Sequence, residues 1–180
     1  MRDMKWKTLS SEYIIRRPWL TARVDRVELP NGQVHDEYYV LEYPTWINVI
    51  AVTESDELVL VRQYRHGAQR TCFEIVAGVV EPGEEPLAAA QRELLEETGF
   101  AGGEWREIMQ LSANPSLMNN VTHCFLATGV RKIKEQELDD TEDIEVHILP
   151  KAEVRRMLEE GVFLQALMVG PLYKYFSSDR

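Results

Sequence analysis

Residues 77–100 run AGVVEPGEEPLAAAQRELLEETGF. Pro86 suits the first turn of a helix, where the N–H it lacks would have no partner anyway. Leu87 to Thr98 holds good helix formers with neither Gly nor Pro, and Gly99 is a C-terminal stop. The stretch predicts a helix of about three to four turns, entered through a loop that holds Ala77, Gly78 and Gly83. Helical spacing puts Leu87, Ala90, Leu94 and Thr98 on one stripe, expected to be buried. Glu93, Glu96 and Glu97 stand at i, i+3 and i+4 on another face. Three carboxylates crowded there repel one another and weaken the helix. A hard divalent cation reverses the sign of that interaction, and Mg²⁺ takes carboxylate oxygens along with water and substrate phosphates. Arg92 sits beside them as an anchor for one carboxylate. A solvated acidic helix face is the plainer reading of such a cluster, and the accompanying loop and arginine argue against it.

Upstream, Cys72 to Val76 reads as a short strand leading into the loop. Glu74 within it is a half-buried carboxylate, to be partnered by a ribose hydroxyl or by an internal arginine. Trp46 to Thr53 and Glu57 to Tyr64 read as buried central strands, turned at Ser55-Asp56. The second ends in Arg62-Gln63-Tyr64-Arg65, and an arginine at a strand end is well placed to grip a phosphate bidentately. Farther upstream, Thr21 to Leu29 alternates, Pro30-Asn31-Gly32 is a turn, and Val34 to Glu42 returns, which predicts a hairpin. Trp19 and Trp46 flank it. Each could stack on a nucleobase, and each fits a core or interface position as well.

Downstream, Trp105 to Ser112 and Val121 to Ala127 read as strands, with a turn-rich loop from Ala113 to Asn120 between them. Lys134 to Asp143 reads as a solvated acidic loop. Ile144 to Leu149 alternates as a strand. A helix is expected from Lys151 to Glu160, and a last one from Leu164 to Phe176, interrupted or kinked near Gly170-Pro171. Strands, one central helix, strands and C-terminal helices make an α+β order.

The chain has 180 residues, 44% hydrophobic and 28% charged, as expected of one soluble globular domain. A formal net charge of −10 argues against a general nucleic-acid or anionic-membrane binder. Cys72 and Cys124 lack metal-ligand spacing and read as buried free thiols, which favours the cytoplasm. Met1 to Ser10 is no signal peptide, and no apolar run reaches a membrane span. Asn120-Val121-Thr122 is a glycosylation sequon read as chance.

Gly78, five residues, Glu84, seven residues, then Arg92-Glu93-Leu94-Leu95-Glu96-Glu97-Thr98-Gly99-Phe100 fills every fixed position of the Nudix box across 23 residues. The sequence therefore resembles the Nudix hydrolases. The resemblance implies an α/β/α sandwich with a mixed sheet as residues 46–180. An N-terminal antiparallel β region, residues 1–45, would be added to it. A narrower resemblance rests on Arg62 to Arg65, the approach from Glu74 to Gly78, Pro115, and Glu142-Asp143-Ile144-Glu145-Val146. Together these look like the ADP-ribose pyrophosphatase branch, although Pro115 stands in Asn114-Pro115-Ser116 and not in the branch's usual Pro-Gly context.

That resemblance implies hydrolysis of a nucleoside diphosphate sugar with Mg²⁺, or Mn²⁺ in its place, by a homodimer whose N-terminal region helps form the partner's substrate site. Glu93, Glu97, Glu96 and the Ala77 carbonyl would hold metal. Gly78, Glu84 and Arg92 would hold loop and helix in place. Glu142 best matches the general base, with Asp140 and Glu145 as rivals and Glu96 a further catalytic candidate. Arg65, Arg62, Glu74, Trp19 and Trp46 would contact substrate. A different diphosphate substrate (a dinucleoside polyphosphate, a coenzyme A derivative, an oxidised nucleotide) and a non-catalytic nucleotide sensor are the alternatives.

Overall fold

A computed structural model describes residues 1–178. By its contacts the chain divides into two compact units, residues 1–44 with 112–120, and residues 45–111 with the rest.

In the first unit, β1 (Lys7–Arg17), β2 (Leu20–Glu28) and β3 (Val34–Glu42) form an antiparallel sheet. The expected hairpin is β2–β3, and Gly32 takes φ +83° in its turn, a conformation open to glycine at no steric cost. β1 is a third strand that the alternation pattern did not mark. Residues 112–120 join this unit through backbone bonds from Leu41 N to Leu117 O and from Asn119 N to Leu41 O.

The second unit is an eight-stranded mixed sheet between helices. Its strands are β4 (Trp46–Thr53), β5 (Glu57–Arg65), β6 (Arg70–Glu74), β7 (Val76–Val79), β8 (Phe100–Ala101), β9 (Glu104–Leu111), β10 (Thr122–Lys132) and β11 (Ile144–Pro150). The sheet order is β11-β5-β4-β10-β8, with β6 on β5, β7 on β4 and β9 on β10. β4 and β10 pair in parallel, Trp46 opposite Thr122. The helices are α1 (Pro86–Thr98), α2 (Lys151–Glu159) and α3 (Ala166–Ser177).

Period-two alternation sends β4 and β5 into two cores at once. Ile47, Val49, Ala51, Val59 and Val61 pack with Ala89, Ala90 and Leu94 of α1. Ile50, Val52, Leu58 and Leu60 pack with α2 and α3 through Val154, Leu158, Met168 and Leu172. The fold is thus the α+β sandwich, helix on both faces of a mixed sheet.

Two expectations need correction. Leu87 is 41% exposed, and the buried face of α1 is Ala89, Ala90, Leu94, Glu97 and Thr98. In the first turn of the helix Leu87 lies outside the sheet's cover. α3 also runs unbroken through Pro171, so of the two alternatives there, a break or a kink, the break is overturned. Proline has no N–H for the carbonyl four residues back, that of Leu167. Asn48 Nδ2 donates to Leu167 O at 2.7 Å instead. A buried amide on the facing strand thus satisfies the group the proline strands. Among the described residues no helix is long and apolar enough to cross a membrane.

Candidate active site

The loop from β7 and the helix α1 are locked by one guanidinium. Arg92 Nε and Nη2 donate to the two oxygens of Glu84 at 3.0 and 3.1 Å, and Nη2 also to Val79 O at 3.0 Å. Its Nη1 donates to Glu93 Oε1 at 2.9 Å and Glu96 Oε2 at 3.0 Å. Glu84 Oε2 in turn accepts from the Glu81 amide at 3.0 Å, which closes the loop. Hydrogen bonding to Arg92 holds the Glu84 carboxyl below its usual range, and the same bond raises the guanidinium above its own. Gly78 faces Glu93 so closely that a Cβ there would overlap the carboxyl group. Glycine is required by that approach, since its backbone takes an ordinary conformation.

Glu97 is 4% exposed, and its Oε2 has no hydrogen-bond partner. Burial first, then the charges of Glu93 and Glu142, push its carboxyl well above the usual carboxylate range, against a hydrogen bond from the Ala77 backbone. Burial also raises Glu93, opposed by Arg92 and helped by Glu96 and Glu142. One cation therefore answers several carboxylates in a partly dry place. An unmet oxygen, an excess of negative charge and an all-oxygen donor set fit a hard divalent cation. Among the described residues no three acidic, histidine or cysteine side chains already converge as a finished cage.

The acidic loop reaches this end of α1. Ile133 N and Lys134 N donate to Gly99 O, and Glu137 N donates to Glu96 O at 2.9 Å. Gln136 Nε2 donates to Glu97 O at 2.6 Å and to Ile144 O at 3.1 Å. Glu142 closes a turn, its amide donating to Asp139 O while its carboxylate accepts from Asp139 N at 3.0 Å. Among the charges that raise the Glu93 and Glu97 carboxyls is that of Glu142. Asp140 is exposed on the turn. Glu145 is held by Arg62 Nη1 at 2.7 Å, so those two candidates face each other at the sheet edge.

A cleft of about 310 Å³ opens across β7, lined by Trp46, Asn48, Arg65, Ala77 and Gly78, with Thr122 and Leu167 behind. Arg65 and Glu74 form a two-pronged pair at 2.9 and 2.5 Å, which makes the internal arginine the partner of Glu74. Arg65 also feels the Glu97 charge. Trp46 is thus placed in the cleft, whereas Trp19 is 84% exposed in the N-terminal unit. Asn48 and Thr122 were not singled out in the sequence. Asn48 carries a signal, a polar residue in an otherwise apolar run, and Gln136 carries none.

The NUDIX domain model matches residues 43–167, and the model of the nucleoside diphosphate sugar hydrolase N-terminal domain matches residues 6–41. The ADP-ribose pyrophosphatase of Bacillus subtilis (strain 168) is 33% identical over 160 residues, 88% of this chain and 86% of that one. The methanol dehydrogenase activator of Bacillus methanolicus is 32% identical over 155 residues, covering 86% and 83%. The crystal structure of an ADP compounds hydrolase superposes with a TM-score of 0.85 at 25% identity, covering 99% of this chain and 96% of that one.

Proposed function

The chain belongs to the Nudix family and is a hydrolase, and from that premise we propose that it cleaves the diphosphate of ADP-ribose or a related nucleoside diphosphate sugar. The observation that carries the reading is the buried Glu97 carboxylate, with an unmet oxygen and two further carboxylates pressing on it. A diphosphate resists hydrolysis because its charge repels the nucleophile. Glu93, Glu96, Glu97 and the Ala77 carbonyl would hold Mg²⁺, which when bound would supply Lewis acidity and neutralise that charge. Arg92 and Glu84 keep those ligands aligned. Glu142 takes the proton from the attacking water, its charge being among those that raise the Glu93 and Glu97 carboxyls. Arg65 grips the diphosphate, and Glu74 fixes Arg65. Trp46 stacks on the ring that enters the cleft. The products are a nucleoside monophosphate and a sugar phosphate, ribose 5-phosphate in the case of ADP-ribose.

The chain works as a cytoplasmic homodimer in this reading. The N-terminal unit, Trp19 included, serves the partner's site. The test is product chromatography with Mg²⁺ and ADP-ribose, ADP-glucose, GDP-mannose, UDP-glucose and a dinucleoside polyphosphate offered side by side. Nucleoside monophosphate from a sugar substrate is expected, lost in Glu97→Gln. Cleavage of the polyphosphate alone overturns the sugar assignment. Sedimentation equilibrium checks the dimer.

A further inference from the structure

The loop that carries Glu142 is fastened to the rest of the site by backbone bonds to the end of α1, by Leu138 packed against the core, and by one side-chain amide that bonds at both sides of its neck. Gln136 Nε2 spends one N–H on Glu97 O, at 2.6 Å, and the other on Ile144 O, at 3.1 Å. The Ile144 bond closes the neck of the loop, residues 137–143. The Glu97 bond fastens that neck to the residue whose carboxylate lies at the centre of the site. Gln136 is half-buried, while the acidic residues of its loop are exposed. Just before Gln136, Ile133 N and Lys134 N bond to Gly99 O, and beside it the backbone adds a bond from Glu137 N to Glu96 O. Past that bond, the turn Asp139 to Glu142 is internal to the loop, and no bond to α1 is made there among the described residues.

We propose that Gln136 is a positioning residue for hydrolysis, its amide holding the neck of the acidic loop to the α1 backbone so that Glu142 faces the water beside Glu97. This rests on reading Glu142 as the base. The physical ground is that rate is steeply sensitive to placement: an error of about 1 Å costs on the order of 100-fold. A loop closed at its neck also has far fewer ways to place its tip than an open one. Both hydrogen bonds of the Gln136 amide go to backbone carbonyls and leave the carboxylates alone, so its loss is expected in kcat and not in metal affinity or KM.

The test is a double-mutant cycle. Gln136→Met keeps the length of the side chain and removes both donors. Its kcat is expected to fall about 10- to 100-fold with KM within about twofold of wild type. In a Glu142→Gln background the same substitution is expected to cost nothing more, because the base it positions is gone. Amide exchange in residues 137–143 is expected to quicken in Gln136→Met, with helix α1 unchanged. Equal further loss in the Glu142→Gln background overturns the proposal, as does an unchanged kcat. Should Gln136→Met fail to fold, Gln136→Lys keeps N–H donors one bond farther out on a flexible stem and is expected to retain kcat within about threefold. A folded lysine variant as slow as Glu142→Gln overturns the proposal. Full activity in Glu142→Gln alone would instead remove the base assignment, which separates the two failures.

Discussion

Helix α1 and the loop 133–143 both concentrate carboxylates, and they treat them in opposite ways. On the helix, Glu97 is buried and Glu93 half-buried against the sheet, and one guanidinium is shared among Glu84, Glu93 and Glu96. On the loop the acidic side chains face solvent, and Lys132 and Lys134 pair with Glu135 and Glu137 three residues on. The loop is richer in acid, yet water and local lysines dispose of its charge. The helix has fewer carboxylates and nowhere to put them. Burial without enough counter-charge makes a place for a cation, and charge count does not.

That contrast breaks first at Glu97. Glu97→Gln should lower kcat by about 10³-fold or more, the loss of several kcal/mol of charge stabilisation. Its Tm should stay level or rise, since a buried charge without a partner is removed. A fall in Tm with little loss of rate would make Glu97 a structural group. Next comes Arg92→Ala, which leaves Glu84, Glu93 and Glu96 without their cation. It should cost about 3 kcal/mol of stability, or about 6–12 °C by calorimetry.

Acidity sharpens the contrast. A carboxyl whose folded pKa lies above its unfolded value binds its proton more tightly when folded. The stability it contributes is therefore full below about pH 4.3 and is lost as pH rises through the raised folded values. Glu93 and Glu97 act in this direction. Glu84, lowered by Arg92, acts in the other, its contribution being lost as pH falls. In metal-free protein, the Tm difference between Glu97→Gln and wild type should widen as pH rises from 4. Mg²⁺ at 100 times its Kd should return about 2.7 kcal/mol to the wild type. The smallest effect belongs to the loop. Lys132→Ala should change stability by less than about 0.5 kcal/mol and leave kcat alone. A larger loss would mean the surface pairs hold the loop in place, with Gln136 secondary.

Much of this architecture could be read in the sequence because it is local. Helix α1 has its stop at Gly99 and its Pro at the first turn, and β4 and β5 are apolar runs of strand length. The stripe on α1 fails at Leu87 because periodicity gives a face but not where the sheet ends. Arg65 and Glu74 both stand out in the sequence, but their pairing does not follow even from the strand register, which sets Glu74 opposite Val61 and Arg65 opposite Arg70; the guanidinium reaches along the sheet to the carboxylate. Asn48 could not be understood locally at all. Its reason is Pro171, on a helix that pattern alone would break there. Gln136 is the harder case: a neutral amide among acids has no periodicity, and its two carbonyl partners lie on α1 and β11.

The N-terminal sheet includes a segment that the ribosome makes much later. Leu41 bonds to Leu117 and Asn119, and the Asn120 amide donates to Pro44 O at 2.9 Å. During synthesis at about 5–20 residues per second, β3 would wait roughly 4 to 15 s for those partners to emerge. β4 faces the same delay for its parallel neighbour, since Trp46 pairs with Thr122. The first 44 residues therefore cannot finish folding as a vanguard. Their completion is timed by the β9–β10 connection, and a nascent chain arrested before residue 120 would present an exposed β3 edge to whatever chaperone or sister chain came first.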